Sequence, residues 1–204
     1  MAAGWIEIRH QVVISGRVID ARTGVPLAGA RVAITKSPAE FAAWLSVRAI
    51  AFGERWEALT ERLDRRLTTA DGHYHFLDLP NGAYTVTASL PSAGTRYGVV
   101  EKTVTVSRKA DGSVSIATAE LSLPSTAITG KVTVGATPVV MAEVGVSGGE
   151  RAFTDSKGSY LLSGIETGNR ILRVRAQGFA PASQTAKAEQ PGILVSIDIA
   201  LKPI

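Results

Sequence analysis

His10, His73 and His75 are the only imidazoles in a chain of 204 residues that contains no cysteine. Without a thiolate, any metal or acid–base chemistry has to be assembled from these rings and from carboxylates. His73 and His75 flank Tyr74, so on a strand both rings share one face, with Asp71 and Asp78 a few residues away as oxygen ligands. Spacing fixes no third ligand, and the pair is read as two solvent-facing strand residues beside a turn. The chain has no Gly-x-Ser-x-Gly elbow, Ser-x-x-Lys pair, phosphate-binding loop or dinucleotide fingerprint. The expectation is a protein that is not an enzyme, with no catalytic residues, no cofactor and no metal.

The net charge is +4, but it is spread evenly: 14 basic and 12 acidic residues up to Pro124, then 8 and 6 after it. A nucleic-acid binder gathers its cations on one stripe or tail, and that arrangement is missing. Met1 to Gln11 carries Glu7 and Arg9 where a secretory signal needs an unbroken apolar region. The weakly polar stretch Phe41 to Gly53 contains Arg48 and is shorter than the roughly 20 apolar residues of a bilayer crossing. These readings predict a cytoplasmic protein, or part of a particle assembled in the cytoplasm, with no nucleic-acid partner and no membrane span.

Aligned with itself, the chain repeats. Ile14-Ser-Gly-Arg-Val18 is echoed by Ile128-Thr-Gly-Lys-Val132, and Thr68-Thr-Ala-Asp-Gly-His-Tyr74 by Thr154-Asp-Ser-Lys-Gly-Ser-Tyr160. Leu79 to Ala88 pairs with Ile165 to Ala176, and each copy closes on an alternating stretch, Val114 to Leu123 and Ile193 to Leu201. Apolar residues recur with a period of two between Gly, Pro, Asn and Asp turns, the pattern of half-buried strands in a sandwich.

The order I-S/T-G-x-V, G-x-P-L-x-G-A-x-V, T-x-x-x-G-x-Y-x-F, L-x-x-G-x-Y-x-V-x-A is carried by Ile14–Val18, Gly24–Val32, Thr68–Phe76 and Leu79–Ala88. In these residues the first half resembles the carboxypeptidase regulatory-like domain family, whose fold is a transthyretin-like seven-stranded sandwich. The second half departs from the pattern at Pro138-Val-Val-Met-Ala142 and at Arg170, which sits near the place of the usual Tyr. The resemblance implies a scaffold or binding unit, since such modules occur as non-catalytic appendages. The predicted fold is mainly β: two tandem transthyretin-like or Ig-like sandwiches, residues 1–124 and 125–204, the first with a helical insertion over 38–67.

About thirty residues between Lys36 and Thr68 have no counterpart in the second copy. Ser37-Pro-Ala-Glu40 reads as an N-cap, a Pro at the first helical position and a capping-box Glu. Phe41, Trp44, Leu45, Phe52, Trp56, Leu59 and Leu63 follow along one side at helical spacing. A helix over 38–67 would run about 45 Å, whereas a sandwich strand spans about 17–20 Å. Part of it must overhang, or fold back at Gly53. These seven residues are therefore the expected partner-binding surface, with packing on the chain's own sandwich as the competing reading.

Arg170, Arg173 and Arg175 are expected to form one basic strand face, and Arg62, Arg65 and Arg66 to end the insertion helix near its favourable dipole end. Alternation turns both Lys131 and Asp198 outward, whereas an intramolecular isopeptide bond of the kind found in related surface modules needs a buried lysine. Trp5 and Tyr97 are the terminal or loop aromatics that could stack on a sugar. The functional expectation is a structural or adaptor protein that docks to protein partners in a multi-subunit assembly, homo-oligomers included. Phage-tail-like contractile injection particles, where modules of this look are known, are one such setting. The alternative is a carbohydrate- or peptide-binding module that uses loops at the sandwich ends.

Overall fold

Period-two alternation in the sequence becomes inside–outside alternation in the strands that carry the repeated motifs. Along His73–Leu77 the rings of Tyr74 and Phe76 are buried while His73 and His75 face solvent; along Ser159–Ser163, Tyr160 and Leu162 are buried. The computed structural model describes residues 10–60, 62–147 and 149–204, so Trp5 and the stretch Met1–Arg9 of the leader reading lie outside the described residues.

The chain packs as two units. One comprises residues up to Ile19, Pro26–Ser89 and Val100–Leu121; the other comprises Asp20–Val25, Leu90–Val99 and Ser122–Ile204. The elements of the first half are β1 (Val12–Asp20), β2 (Arg31–Lys36), α1 (Ala39–Phe52), β3 (Arg65–Leu67), β4 (His73–Leu77), β5 (Gly82–Ser89), β6 (Val100–Val106), β7 (Ala117–Thr118) and β8 (Leu121–Leu123). They form two four-stranded sheets, β4-β1-β7 with β8 also on β1, and β3-β2-β5-β6. The core between them includes Ile14, Val18, Val32, Phe76, Tyr84, Val86 and Leu121.

The second half contributes β9 (Ala127–Val134), β10 (Thr137–Pro138), β11 (Glu143–Val146), β12 (Arg151–Phe153), β13 (Ser159–Ser163), β14 (Gly168–Arg175), β15 (Phe179–Ala180), β16 (Ala182–Ala188), β17 (Leu194–Ser196), β18 (Ile199–Ala200) and β19 (Lys202–Pro203). One sheet has the order β10-β9-β13 with β17 and β18 also on β9, the other the order β12-β11-β14-β16, and β15 pairs with β19. Ile128, Val132, Val144, Leu162, Leu172, Val174 and Leu201 fill the space between the two larger sheets. The fold is mainly β, two sandwiches with a short helical insertion in the first.

The repeated Gly and Tyr meet in three dimensions. Gly16 is the cross-strand partner of Tyr74, and Gly130 of Tyr160. The Tyr74 hydroxyl donates to Ala119 O at 2.5 Å, and the Tyr160 hydroxyl to Ile197 O at 2.7 Å. Those carbonyls lie directly over the glycines: a Cβ on Gly16 or Gly130 would fall well inside van der Waals contact of Ala119 O or Ile197 O. Burial pushes the Tyr160 hydroxyl up to about 12, so it stays a proton donor. The same carbonyls explain why the closing stretches Val114–Leu123 and Ile193–Leu201 are not continuous strands. Ala119 and Ile197 donate their N–H groups to Ser15 O and Thr129 O while their carbonyls turn inward, which separates β7 from β8 and β17 from β18.

A second duplicated device closes the loop before each Gly–Tyr turn. The buried Thr68 hydroxyl accepts from Ala30 N–H (2.8 Å) and donates to Leu27 O (2.6 Å); Thr154 does the same with Ala142 N–H and Val139 O at 2.8 and 2.6 Å. Within the second unit, buried Asp20 accepts from the N–H groups of Arg22 (2.7 Å) and Thr23 (3.1 Å) and from the hydroxyls of Ser163 (2.9 Å) and Ser125 (3.3 Å). Burial pushes the Asp20 carboxyl up, but these four donors outweigh it and hold the group below its ordinary 3.8.

Replacing Gly130 by Ala is expected to cost about 1–3 kcal/mol through overpacking against backbone that cannot yield as a side chain can. Tyr160→Phe should cost about 1 kcal/mol for the lost hydrogen bond; urea denaturation of both variants checks the order. For Asp20 the folded carboxyl titrates below the unfolded one. Its stabilisation is therefore complete above about pH 4 and is lost as pH falls through the lowered folded value. Asp20→Asn should flatten that acid limb of the stability curve, measured by denaturation between about pH 5 and pH 2.

Candidate functional site

Helix α1 is shorter than its sequence pattern predicts. It begins at Ala39, with Pro38 in the capping position and no side-chain hydrogen bond at that end, so the Ser37–Glu40 capping box does not form. It ends at Phe52, where Gly53 takes a left-handed φ of 55° that a residue with a Cβ adopts only under strain, and donates its N–H to Ala49 O. Fourteen residues span about 21 Å, close to one strand length, so the helix does not overhang its sandwich through length. The chain breaks at Gly53 and returns through 53–64 to β3.

Phe41 is the one buried residue of α1. Its ring meets that of Tyr84 edge-on at 5.8 Å, and the Tyr84 hydroxyl donates to Pro80 O at 2.8 Å. A single anchor leaves the rest of the helix proud: Trp44 is 46% exposed and Val47 68%. Ile50 and Phe52 are exposed as well, while Leu45 is half-buried.

The returning segment is organised by Arg62. Its guanidinium stacks over the Trp56 ring at 4.4 Å and grips buried Asp64 through two bonds, Nε to Oδ1 at 2.9 Å and Nη2 to Oδ2 at 2.8 Å. Glu57 bridges Arg62 at 3.1 Å and Arg65 at 3.3 Å. Arg62, Arg65 and Arg66 therefore do not cap a helix, which has ended ten residues earlier; they hold a loop and its return into β3.

Helix and return segment enclose an apolar groove of about 570 Å³, lined by Phe41, Trp44, Val47, Leu63 and Leu77. His10 and Asp78, bonded to one another at 2.5 Å, close one end. Arg48, Leu63 and Arg66 are shared with an adjoining pocket of about 250 Å³ that Phe52, Trp56 and Leu59 line. Of the seven residues expected to bind a partner, six thus line one continuous depression. Leu45 does not, and Phe41 forms its floor rather than a presented surface. Val47 was legible at helical spacing from Trp44; Leu77, reached from β4, was not.

The other chemical candidates stay apart. His73 pairs with Asp71 at 3.0 Å and His10 with Asp78, and among the described residues no three His, Asp or Glu side chains gather as metal ligands. The Thr69 hydroxyl, joined by the His73 N–H, lowers the Asp71 carboxyl to about 2. Arg170 lies off the expected basic face, and its guanidinium turns back onto Glu166 O and Thr167 O. Lys131 and Asp198 are both exposed and meet only through the Lys131 backbone N–H. Tyr97 is half-buried rather than open for stacking, and burial together with the Asp20 charge pushes its hydroxyl up to about 12. No helix among the described residues is long and apolar enough to cross a membrane.

The sequence model of the carboxypeptidase regulatory-like domain matches residues 13–119, which hold the first Gly–Tyr lock and the insertion groove. The chain belongs to that family. No curated protein gives a significant match. Among solved structures, this regulatory-like chain is similar to the shaft pilin SpaA of Lactobacillus rhamnosus GG, at 15% identity over 96% of this chain and 99% of that one with a TM-score of 0.39. It is also similar to the minor pilin GBS52 of Streptococcus agalactiae, at 16% identity over 94% and 95% with a TM-score of 0.32. The Bacillus anthracis TIE protein matches at 14% identity with a TM-score of 0.39, over 95% of this chain but only 34% of that one, so the regulatory-like chain spans about a third of its length.

The anchor and the rim of the groove should separate in stability measurements. Phe41→Ala is expected to cost about 3–5 kcal/mol, as a buried aromatic does. Trp44→Ala should cost roughly 1 kcal/mol or less, as an exposed one does. Thermal and urea melts of the two variants make the comparison.

Proposed function

We propose that the chain is a non-enzymatic structural or adaptor protein that docks to a partner protein, within a multi-subunit assembly, through the insertion groove of its first unit. The observation that carries this reading is the exposure of Trp44, Val47 and Phe52 beside an apolar depression of about 570 Å³. Large aromatic side chains that flank a pocket and stay in water are costly unless a partner covers them, and Trp is enriched among interface residues that dominate binding. Arg48 and Arg66 edge the same depression and favour a partner whose apolar side chains are flanked by acidic ones. In the same reading residues 1–124 and 125–204 are two modules, the second a diverged copy of the first. The repetition of the Gly–Tyr–carbonyl and Thr-centred contacts supports that view. A particle assembled in the cytoplasm, of the contractile injection kind, is the setting this reading takes for the assembly.

The test is Trp44→Asp with Val47→Asp, both positions exposed so that the fold is retained. Size-exclusion chromatography with mass measurement on material from its native source should show the unsubstituted chain in a larger species, and the variant running alone while still melting cooperatively. A larger species that persists undiminished in the variant sinks the proposal.

A further inference from the structure

The outer face of the β12-β11-β14-β16 sheet places guanidiniums around a bare floor. In cross-strand register Gly145 lies between Arg151 on β12 and Arg173 on β14, and the next outward row places Glu143 between Phe153 and Arg175. Gly145 has no side chain to fill the space between its two arginine neighbours, and a pocket of about 170 Å³ opens there, with Ser147 and Glu143 in its wall beside three arginines. The backbone does not demand glycine at this position. Its φ lies outside the left-handed region, and a Cβ would meet nothing nearer than Arg151 Cγ at 3.4 Å. What the glycine supplies is the opening.

The charge around this opening is unbalanced. Arg151 pairs with Glu143 at 3.2 Å, whereas among the described residues no carboxylate bonds Arg173 or Arg175. Successive outward rows of a strand lie about 6.6–6.8 Å apart, inside a Debye length at physiological salt, so the two cations act together on whatever approaches. Phe153 and Ile171 stand on the same face beside the arginines, 58% and 50% exposed.

We infer that this face binds an extended acidic peptide segment of a partner protein. One carboxylate side chain sits over Gly145 between the forks of Arg151 and Arg173, a second, two positions along, lies against Arg175, and apolar side chains on the same side of the segment cover Phe153 and Ile171. Arginine forks match planar carboxylates through paired hydrogen bonds. Ile171 decides between a peptide and a sulfated glycan, because an aliphatic surface suits an apolar side chain and offers nothing to a hydroxyl-rich ring. The inference uses only residues of the second unit and stands whether or not the insertion groove is a docking site.

The experiment is fluorescence anisotropy on the full chain with three probes: a labelled hexapeptide with leucine at its first position and glutamate at its third and fifth among serines, its counterpart with glutamine for glutamate, and a heparin hexasaccharide. The glutamate peptide should bind, and its affinity should fall steeply with added salt. Arg173→Gln with Arg175→Gln should weaken it at least about tenfold, as loss of charge-assisted bonds predicts. Gly145→Val, which fills the floor and removes no charge, should weaken it comparably. Lys102→Gln, an exposed cation on β6 outside both sites, should bind as the unsubstituted chain does, and circular dichroism confirms that each variant is folded. Equal binding of the glutamine peptide, or undiminished affinity in folded Gly145→Val, overturns the proposal. Binding of the hexasaccharide without the glutamate peptide overturns it in favour of a glycan.

Discussion

A carbonyl oxygen held over a glycine and capped by a tyrosine hydroxyl organises each sandwich. The carbonyl can lie that close to β1 or β9 only because Gly16 and Gly130 have no Cβ. Once there it is turned inward, buried in the first copy and partly buried in the second, and needs a donor, since an unpaired buried carbonyl costs about as much as a lost hydrogen bond. Tyr74 and Tyr160 supply that donor from the neighbouring antiparallel strand. The contact thus joins a central strand, its antiparallel partner and a short parallel strand in one place. It sets the register of β4 on β1 and of β13 on β9, and it interrupts the closing strand in each copy.

With that register set, the first unit tolerates a thirty-residue departure between β2 and β3. The helix leaves at Pro38 and the chain rejoins the sheet at Arg65, both ends fixed by β2 and β3 pairing side by side. Loop-closure entropy rises slowly with length, so an insertion between neighbouring strands is inexpensive. What keeps it from collapsing is sparse: Phe41 on Tyr84, and the Arg62–Asp64–Glu57 cluster that turns the chain back under Trp56. Two anchors some twenty residues apart leave the apolar side chains between them with no core to enter. The groove is the geometric result of that shortage.

The two units expose different chemistry from the same scaffold. In the first, an inserted helix supplies aromatic and aliphatic surface; in the second, an unadorned sheet face supplies arginines around a missing side chain. Neither arrangement places a nucleophile beside a base. The His–Asp pairs at His10–Asp78 and His73–Asp71 are isolated from one another and serve as local ties beside turns.

The fold class was legible in the residues, because alternation and the duplicated Ile-x-Gly-x-Val and Gly-x-Tyr motifs act locally: period two decides which side chains face in, and glycine decides where backbones approach. Helix start and break were partly legible. Gly53 marked the end, since only glycine takes that φ without strain, but the capping signal at Ser37 failed because Pro38 packs against Gly82 and itself becomes the cap. The apolar residues after Gly53 kept a helical rhythm that the structure spends on a folded-back loop, because a buried Arg62–Asp64 pair outweighs local propensity. Arg170 was separable from Arg173 and Arg175 by spacing: an odd number of residues from both, it falls on the opposite face of β14, the one that Leu172 and Val174 bury, and there its guanidinium turns back onto two carbonyls. The gap at Gly145 was hidden: it exists only when β11 is laid between β12 and β14, and neighbours across a sheet are set by tertiary pairing rather than by position in the chain.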